Sequence, residues 1–188
     1  MRAPADVGLS RVARLFVAVW PPEEILYTVA GLERPPIDGV RWTGRDQWHV
    51  TLRFLGRVEA VDQAVGALAG LRAVPFEARM GPTVGRFGHR VLHVPVHGLD
   101  GVAGAVAAAT EDVGEPPEER AFAGHLTLAR VAKGARVDLR RLTGRPVAGS
   151  WMVDHVLLVE SHLSSKGADY EVVDRFPLGA DLCPDQSE

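Results

Sequence analysis

The segments WHVTLRFLG (48–56) and GHLTLARV (124–131) each place a histidine two residues before a threonine: His49 with Thr51, and His125 with Thr127. Side chains alternate along a strand, so residues i and i+2 share a face. Each segment therefore carries imidazole and hydroxyl on one face, with Val50 and Leu52, or Leu126 and Leu128, on the other. One such histidine in a strand is ordinarily a structural or merely exposed residue. Two copies in matching strands suggest the halves of one site. Two imidazoles with reference pKa values of about 6.5 form an acid and base pair near neutral pH. The neutral ring takes a proton from an attacking hydroxyl or water, and the protonated ring gives one to the leaving oxygen. The threonines are placed to donate hydrogen bonds to an anion between them. Opening or closing a phosphodiester needs these parts and no metal, and no carboxylate cluster stands beside them in the sequence.

The elements that position the two strands follow from pattern. RLFVAVW (14–20) is an apolar run of strand type. Residues 21–33 open with Pro21, Pro22, Glu23 and Glu24 and continue with Ile25, Leu26, Val29 and Leu32 at helical spacing. A brief strand is expected near 40–43 and a helix over 60–73. Extended runs are expected at 75–86 and 90–97, flanking a hairpin tip at GRFGHR. An Ala-rich helix over 99–113 precedes the second motif, a short helix near 135–143 follows it, and strands at 151–161 and 168–176 close the chain. The two halves resemble each other in outline. Helices interspersed with hairpins imply an α+β fold with mostly antiparallel sheets.

The chain has 188 residues, is 46% hydrophobic and 24% charged, and carries a formal charge of −3. It is long enough to bury a core. It lacks the basic stripe expected of a protein that grips a long duplex, so contact with nucleic acid is expected to be local, at a strand end. Apart from Lys133 and Lys166 the basic residues are arginine, which a composition bias that also enriches Ala, Gly and Val explains better than function does. The single cysteine, Cys183, excludes an internal disulfide or a cysteine-based zinc site. No apolar run reaches membrane-spanning length, and the N-terminus lacks a signal-peptide core. A cytoplasmic monomer is expected, with flexible tails at 1–12 and 180–188 around one domain at 13–179.

Other clusters carry less. His89, His93 and His97 recur at intervals of four, but Pro95 and the Val-rich context favour a strand, where four residues span about 13 Å. They read as structural or surface histidines, and His155 and His162 show no partners. No phosphate-cradling glycine loop or nucleophile elbow occurs. Trp48 and Phe54 share the parity of the apolar face, so both are expected in the core. EPPEER (115–120) reads as a solvated acidic loop near the mouth of the site.

The stretches RLFVAVWPPEE, WHVTLRFLG, GHLTLARV, VLLVESHL and GADYEVVDRFPL, in this order over about residues 13–178, resemble the two-histidine (2H) phosphoesterase superfamily. Within it they are similar to the RNA 2′,3′-cyclic phosphodiesterases, historically named 2′–5′ RNA ligases. The resemblance implies a two-lobed, pseudo-twofold fold with a central cleft. It implies metal-independent, cofactor-free hydrolysis of an RNA 2′,3′-cyclic phosphate end to a 2′-phosphate. His49 would be the general acid and His125 the general base. Thr51, Thr127 and Arg130 would bind the phosphate. The alternatives are reversible 2′–5′ ligation, cyclic phosphodiesterase activity on small nucleotides, and an inactive module that binds RNA ends.

Two positions depart from simple expectation. The family often has Pro before the second histidine, where this chain has Gly124, a change expected to loosen the strand start with little chemical effect. Strict alternation also puts Arg130 on the face opposite His125 and Thr127. It reaches the phosphate only if the strand ends, twists or bulges near Ala129. Arg53 has cleft parity in the first strand, or else is a solvent-facing charge.

Overall fold

The computed structural model describes residues 12–164 and 167–179. The expected tails lie outside these residues save for Val12, as does Cys183. Ten strands alternate with three α-helices: β1 Ala13–Val19, α1 Glu23–Ala30, β2 Val40–Trp42, β3 Val50–Val58, α2 Val61–Ala69, β4 Phe76–Met80, β5 Gly85–Phe87, β6 Val91–His97, α3 Asp100–Ala109, β7 His125–Val131, β8 Gly149–Val153, β9 His155–Ser164 and β10 Gly167–Pro177. The strands follow the order β10-β9-β1-β3-β7-β6-β4-β8, with β2 on β7 and β5 on β6. Their pairings are antiparallel. The α+β architecture matches expectation.

Two lobes meet at the centre of this order. One holds β10, β9, β1 and β3, with α2 and α3 behind. The other holds β7, β6, β4 and β8 with β2 and β5, and α1 against β8. The lobes are not the two halves of the sequence. The C-terminal strands β9 and β10 return to pair with β1, completing the first lobe. This is why the expected strand over 151–161 divides at Asp154: β8 pairs β4 in one lobe and β9 pairs β1 in the other. The run expected over 75–86 divides for a similar reason. Residues 82–84 leave β4 to pair with 144–147, with Val84 N donating to the Arg145 carbonyl at 2.9 Å and Val147 N to that of Pro82 at 2.9 Å. Of the helix expected near 135–143, only a 3-10 turn, Leu139–Leu142, forms. The Asp138 side chain caps it by accepting from Arg140 N at 3.1 Å.

The core is continuous across both lobes. Leu15, Val17 and Val19 of β1, Val102 and Val106 of α3, Ile25 and Val29 of α1, and Leu126 and Leu128 of β7 belong to one buried cluster. A second, smaller cluster lies on the concave face of the first lobe, where Phe16, Ala18, Leu157 and Val159 pack with Trp20, Phe54 and Tyr170. No helix among the described residues is long and apolar enough to cross a membrane.

Candidate active site

The lobes are joined where β3 and β7 run antiparallel with Val50 opposite Leu126. These are the middle residues of the two His-x-Thr motifs. One step along this register sets His49 against Thr127 and Thr51 against His125, so a pseudo-twofold axis passes between Val50 and Leu126. All four polar side chains line one cleft of about 700 Å3.

The axis repeats a further device. Against β1, Thr51 pairs with Ala18 but Arg53 pairs with Val17, which leaves Leu52 as an extra residue in β3. Against β6, Thr127 pairs with His93 but Ala129 pairs with Leu92, which leaves Leu128 extra in β7. Both strands thus bulge at the leucine that follows the threonine, and beyond a bulge the alternation of faces is reversed. Arg130 accordingly joins His125 and Thr127 in the cleft. The second strand thus bulges next to Ala129, the condition under which Arg130 reaches the histidine face.

The same bulge overturns two expectations in the first strand. Phe54 is not on the core face but lines the cleft, at the place corresponding to Arg130. Arg53 is neither in the cleft nor in solvent; it is 6% exposed beneath α3. Its guanidinium donates to the carbonyls of Ala107 (3.0 Å), Val113 (3.4 Å) and Glu115 (2.9 Å) and to Thr110 Oγ1. A cation at the C-terminal carbonyls of a helix complements the helix dipole, and burial lowers the pKa of this guanidinium.

Thr43, just past β2, secures the bulge of β7. Its N–H donates to the Leu128 carbonyl at 2.9 Å. Its hydroxyl faces the carbonyls of Thr127 and Leu128 at 2.7 and 2.9 Å and accepts from Trp48 Nε1 at 3.0 Å. Trp48 is buried as expected. Gly124 is a requirement of packing rather than a loosened strand start. A Cβ there would run into the Val96 carbonyl oxygen, and Val96 N donates to the Gly124 carbonyl at 2.8 Å.

The two histidines differ in setting. His49 stacks on Trp20 (ring centroids 4.7 Å apart), tilts over Phe16 (4.9 Å) and meets Tyr170 edge-on (4.9 Å). Burial pushes its pKa down to about 4, against the Gln47 carbonyl, which favours the protonated ring; Arg130 and His125 add to the lowering. Its Nδ1 is buried without a partner at hydrogen-bonding geometry. His125 Nδ1 lies 2.7 Å from the Ala123 carbonyl. An oxygen that only accepts fixes the proton on Nδ1 and leaves Nε2 as the basic nitrogen. Burial lowers the pKa of His125 too, with Arg130 and Arg120 contributing and the Ala123 bond opposing. Both shifts favour the neutral ring.

Beside His125 sits a residue whose placement the sequence pattern missed. His93 is buried, stacks on Phe87 at 3.9 Å and approaches His125 at 5.6 Å. Burial pushes its pKa down to about 4. His89 and His97 are exposed, so the four-residue series shares no ion. His155 pairs with Asp154, and His162 lies 3.4 Å from Glu171 and 3.8 Å from Glu160; none of these lines the cleft. The 115–120 loop is exposed, and Arg120 within it acts on His125. Among the described residues Arg14, Arg41 and Arg130 line the cleft and no carboxylate does, so its field favours an anion. Gln47 Nε2 donates to the Ala168 carbonyl at 2.7 Å, tying one end of the cleft across the lobes.

A two-lobed antiparallel fold with paired His-x-Thr strands at its axis defines a two-histidine phosphoesterase. A family model described as LigT like phosphoesterase matches residues 19–86. The chain is 34% identical over 146 residues to an RNA 2′,3′-cyclic phosphodiesterase of Aeropyrum pernix, spanning 68% of this chain and 80% of that one. Among solved structures, one from Thermus thermophilus superposes with a TM-score of 0.71 at 30% identity, covering 87% of this chain and 97% of that one. E. coli LigT complexed with 3′-AMP gives 0.70 at 26% identity, covering 90% and 99%. The chain belongs to the LigT-like phosphoesterase family.

Proposed function

We propose that this protein hydrolyses RNA 2′,3′-cyclic phosphate ends to 2′-phosphates without a metal. The observation that carries the reading is the meeting of the two His-x-Thr motifs about Val50 and Leu126, with Arg130 turned into the same cleft by the Leu128 bulge. The name of the Aeropyrum pernix relative supports the substrate class.

The phosphodiester anion enters a cleft lined by three arginines and favours protonation of a neighbouring imidazole. His49 takes that proton against the cost of its burial, with the faces of Trp20 and Phe16 and the Gln47 carbonyl favouring the imidazolium. His125 serves as the base through Nε2, since the Ala123 carbonyl holds the proton on Nδ1. His125 Nε2 then removes a proton from water, whose oxygen bonds to phosphorus. The bond from phosphorus to O3′ breaks, and His49 gives its proton to O3′. The products are a 2′-phosphate and a 3′-hydroxyl, with His125 protonated and His49 neutral. Exchange with solvent restores the starting states. Thr51, Thr127 and Arg130 hold the non-bridging oxygens, where charge accumulates in the transition state.

The test is product analysis on an oligonucleotide bearing a 2′,3′-cyclic end. Release of 2′-phosphate is expected, and His49→Ala and His125→Ala are each expected to abolish it while remaining folded. A 3′-phosphate product, a ligated product, or full activity in either variant defeats the proposal.

A further inference from the structure

The hairpin of β5 and β6 carries a feature that the hydrolytic steps do not use. Its tip, residues 85–91 (GRFGHRV), holds Arg86, His89 and Arg90 and no acidic residue. Phe87 pairs with Val91, and Val91 pairs with Arg130 on β7. Directly opposed residues of an antiparallel pair share a face. Phe87, Val91 and Arg130 therefore form one row, with Phe87 two strand spacings, about 10 Å, from Arg130. One face of the Phe87 ring is fixed: it stacks on His93 at 3.9 Å with the planes 14° apart, and it meets His125 edge-on at 4.8 Å. Gly85, opposite His93, leaves room for that imidazole, since a Cβ there would come within 3.1 Å of His93 Nε2. Phe87 is nonetheless 42% exposed. A rigidly backed aromatic ring, open to solvent and flanked in the chain by cations, suits single-stranded RNA: a base stacks on the ring and the backbone follows the positive charge.

We infer that Phe87 is the stacking platform for the nucleobase that precedes the cyclic end of an RNA strand, with Arg86 and Arg90 drawing the strand's phosphates to the hairpin. This rests on the proposed action at RNA ends and narrows it. A 2′,3′-cyclic phosphate terminates its strand, so every further nucleotide leaves the site on the 5′ side. With the cyclic phosphate held among the His-x-Thr motifs and Arg130, the row from Arg130 through Val91 to Phe87 gives the strand an exit over the second lobe. The charge of the hairpin tip complements that strand. A mononucleotide stops short of the hairpin. The protein therefore favours oligonucleotide ends over cyclic mononucleotides. Every base has a stacking face, so the preference depends little on the identity of the preceding base.

The experiment measures equilibrium binding, by calorimetry, of two dinucleotides: adenylyl-adenosine carrying a terminal 2′-phosphate, and the same molecule without its 5′-side base. The two have equal charge, so the ratio of their affinities reads the preceding base alone. The wild-type protein is expected to prefer the base-bearing dinucleotide by a factor on the order of ten. Phe87→Leu, which keeps an apolar cover on His93, should bring that ratio toward one, and Phe87→Tyr should keep it. Arg90→Ser should weaken both dinucleotides alike and flatten the salt dependence of their binding. Equal binding of the two by the wild-type protein, or an unchanged ratio in Phe87→Leu, overturns the platform; should that variant not fold, the wild-type comparison carries the test. Unchanged affinity in Arg90→Ser overturns the part given to the charge of the hairpin. Turnover of adenosine 2′,3′-cyclic phosphate is measured in parallel. Its absence, with the base preference intact, counts against the hydrolase reading and leaves the platform standing; turnover without the preference does the reverse.

Discussion

The bulges at Leu52 and Leu128 make opposite predictions for two arginines that simple alternation would exchange. Arg53→Met keeps most of the apolar stem but removes the guanidinium from Ala107, Thr110, Val113 and Glu115. A hydrogen bond to a charged group contributes about 1.5–3 kcal/mol, and releasing the guanidinium from its buried setting offsets part of that loss. A net loss of about 3 kcal/mol is expected. With a urea m-value of about 2 kcal/mol/M, the unfolding midpoint falls by about 1.5 M. The folded fraction should retain wild-type kcat, because this side chain does not line the cleft. Arg130→Met reverses the pattern. Arg130 is exposed on the cleft wall, so stability should stay within about 0.5 kcal/mol. On the proposed mechanism, losing its bond to the developing phosphate charge should lower kcat/KM about a hundredfold. Urea titration and steady-state kinetics on the two variants decide the matter. A stable Arg53→Met with raised KM, or an unstable and fully active Arg130→Met, refutes the assignment of faces.

Three further outcomes are expected. Thr43→Val removes the hydroxyl that faces the Thr127 and Leu128 carbonyls and strands Trp48 Nε1; it should cost about 1–3 kcal/mol and lower kcat/KM as Arg130 loses its place, with Thr43→Ser restoring both. Gly124→Ala forces a Cβ against the Val96 carbonyl and should cost about 1–3 kcal/mol by overpacking, seen as a lowered melting temperature. His93 resists protonation in the fold until about pH 4, whereas in the unfolded chain it protonates below about 6.5. Between these values the unfolded state binds more protons, so stability is lost as pH falls. At pH 5 the loss from this residue is about 2 kcal/mol, and in His93→Leu the difference in urea stability between pH 7.5 and pH 5 should shrink by that amount.

Much of the site was legible because it is local. The His-x-Thr spacing, the apolar backs of both strands and the core position of Trp48 follow from alternation within a few residues. What alternation could not supply was the reversal after Leu52 and Leu128, since an extra residue is defined only against a partner strand, here β1 and β6. Arg53 and Phe54 were accordingly assigned to each other's faces. Arg130 was named through the family resemblance, with a bulge stated as the condition. Thr43 gave no signal, because its role exists only where β7 departs from regular pairing. His93 was set aside as one of an evenly spaced series; its place beside His125 is defined only once β6 is laid against β7, where it pairs with Thr127. The division of 151–161 reflects a change of lobe at Asp154 that no local pattern encodes.

The interleaving of the lobes bears on how such a chain can be divided. β1 finds its outer partner in β9, encoded more than a hundred residues later. α1, from the start of the chain, packs on β8 of the other lobe. Cutting between the two motifs therefore yields no half with its own complete sheet; each fragment would present an unpaired strand edge and an uncovered apolar face.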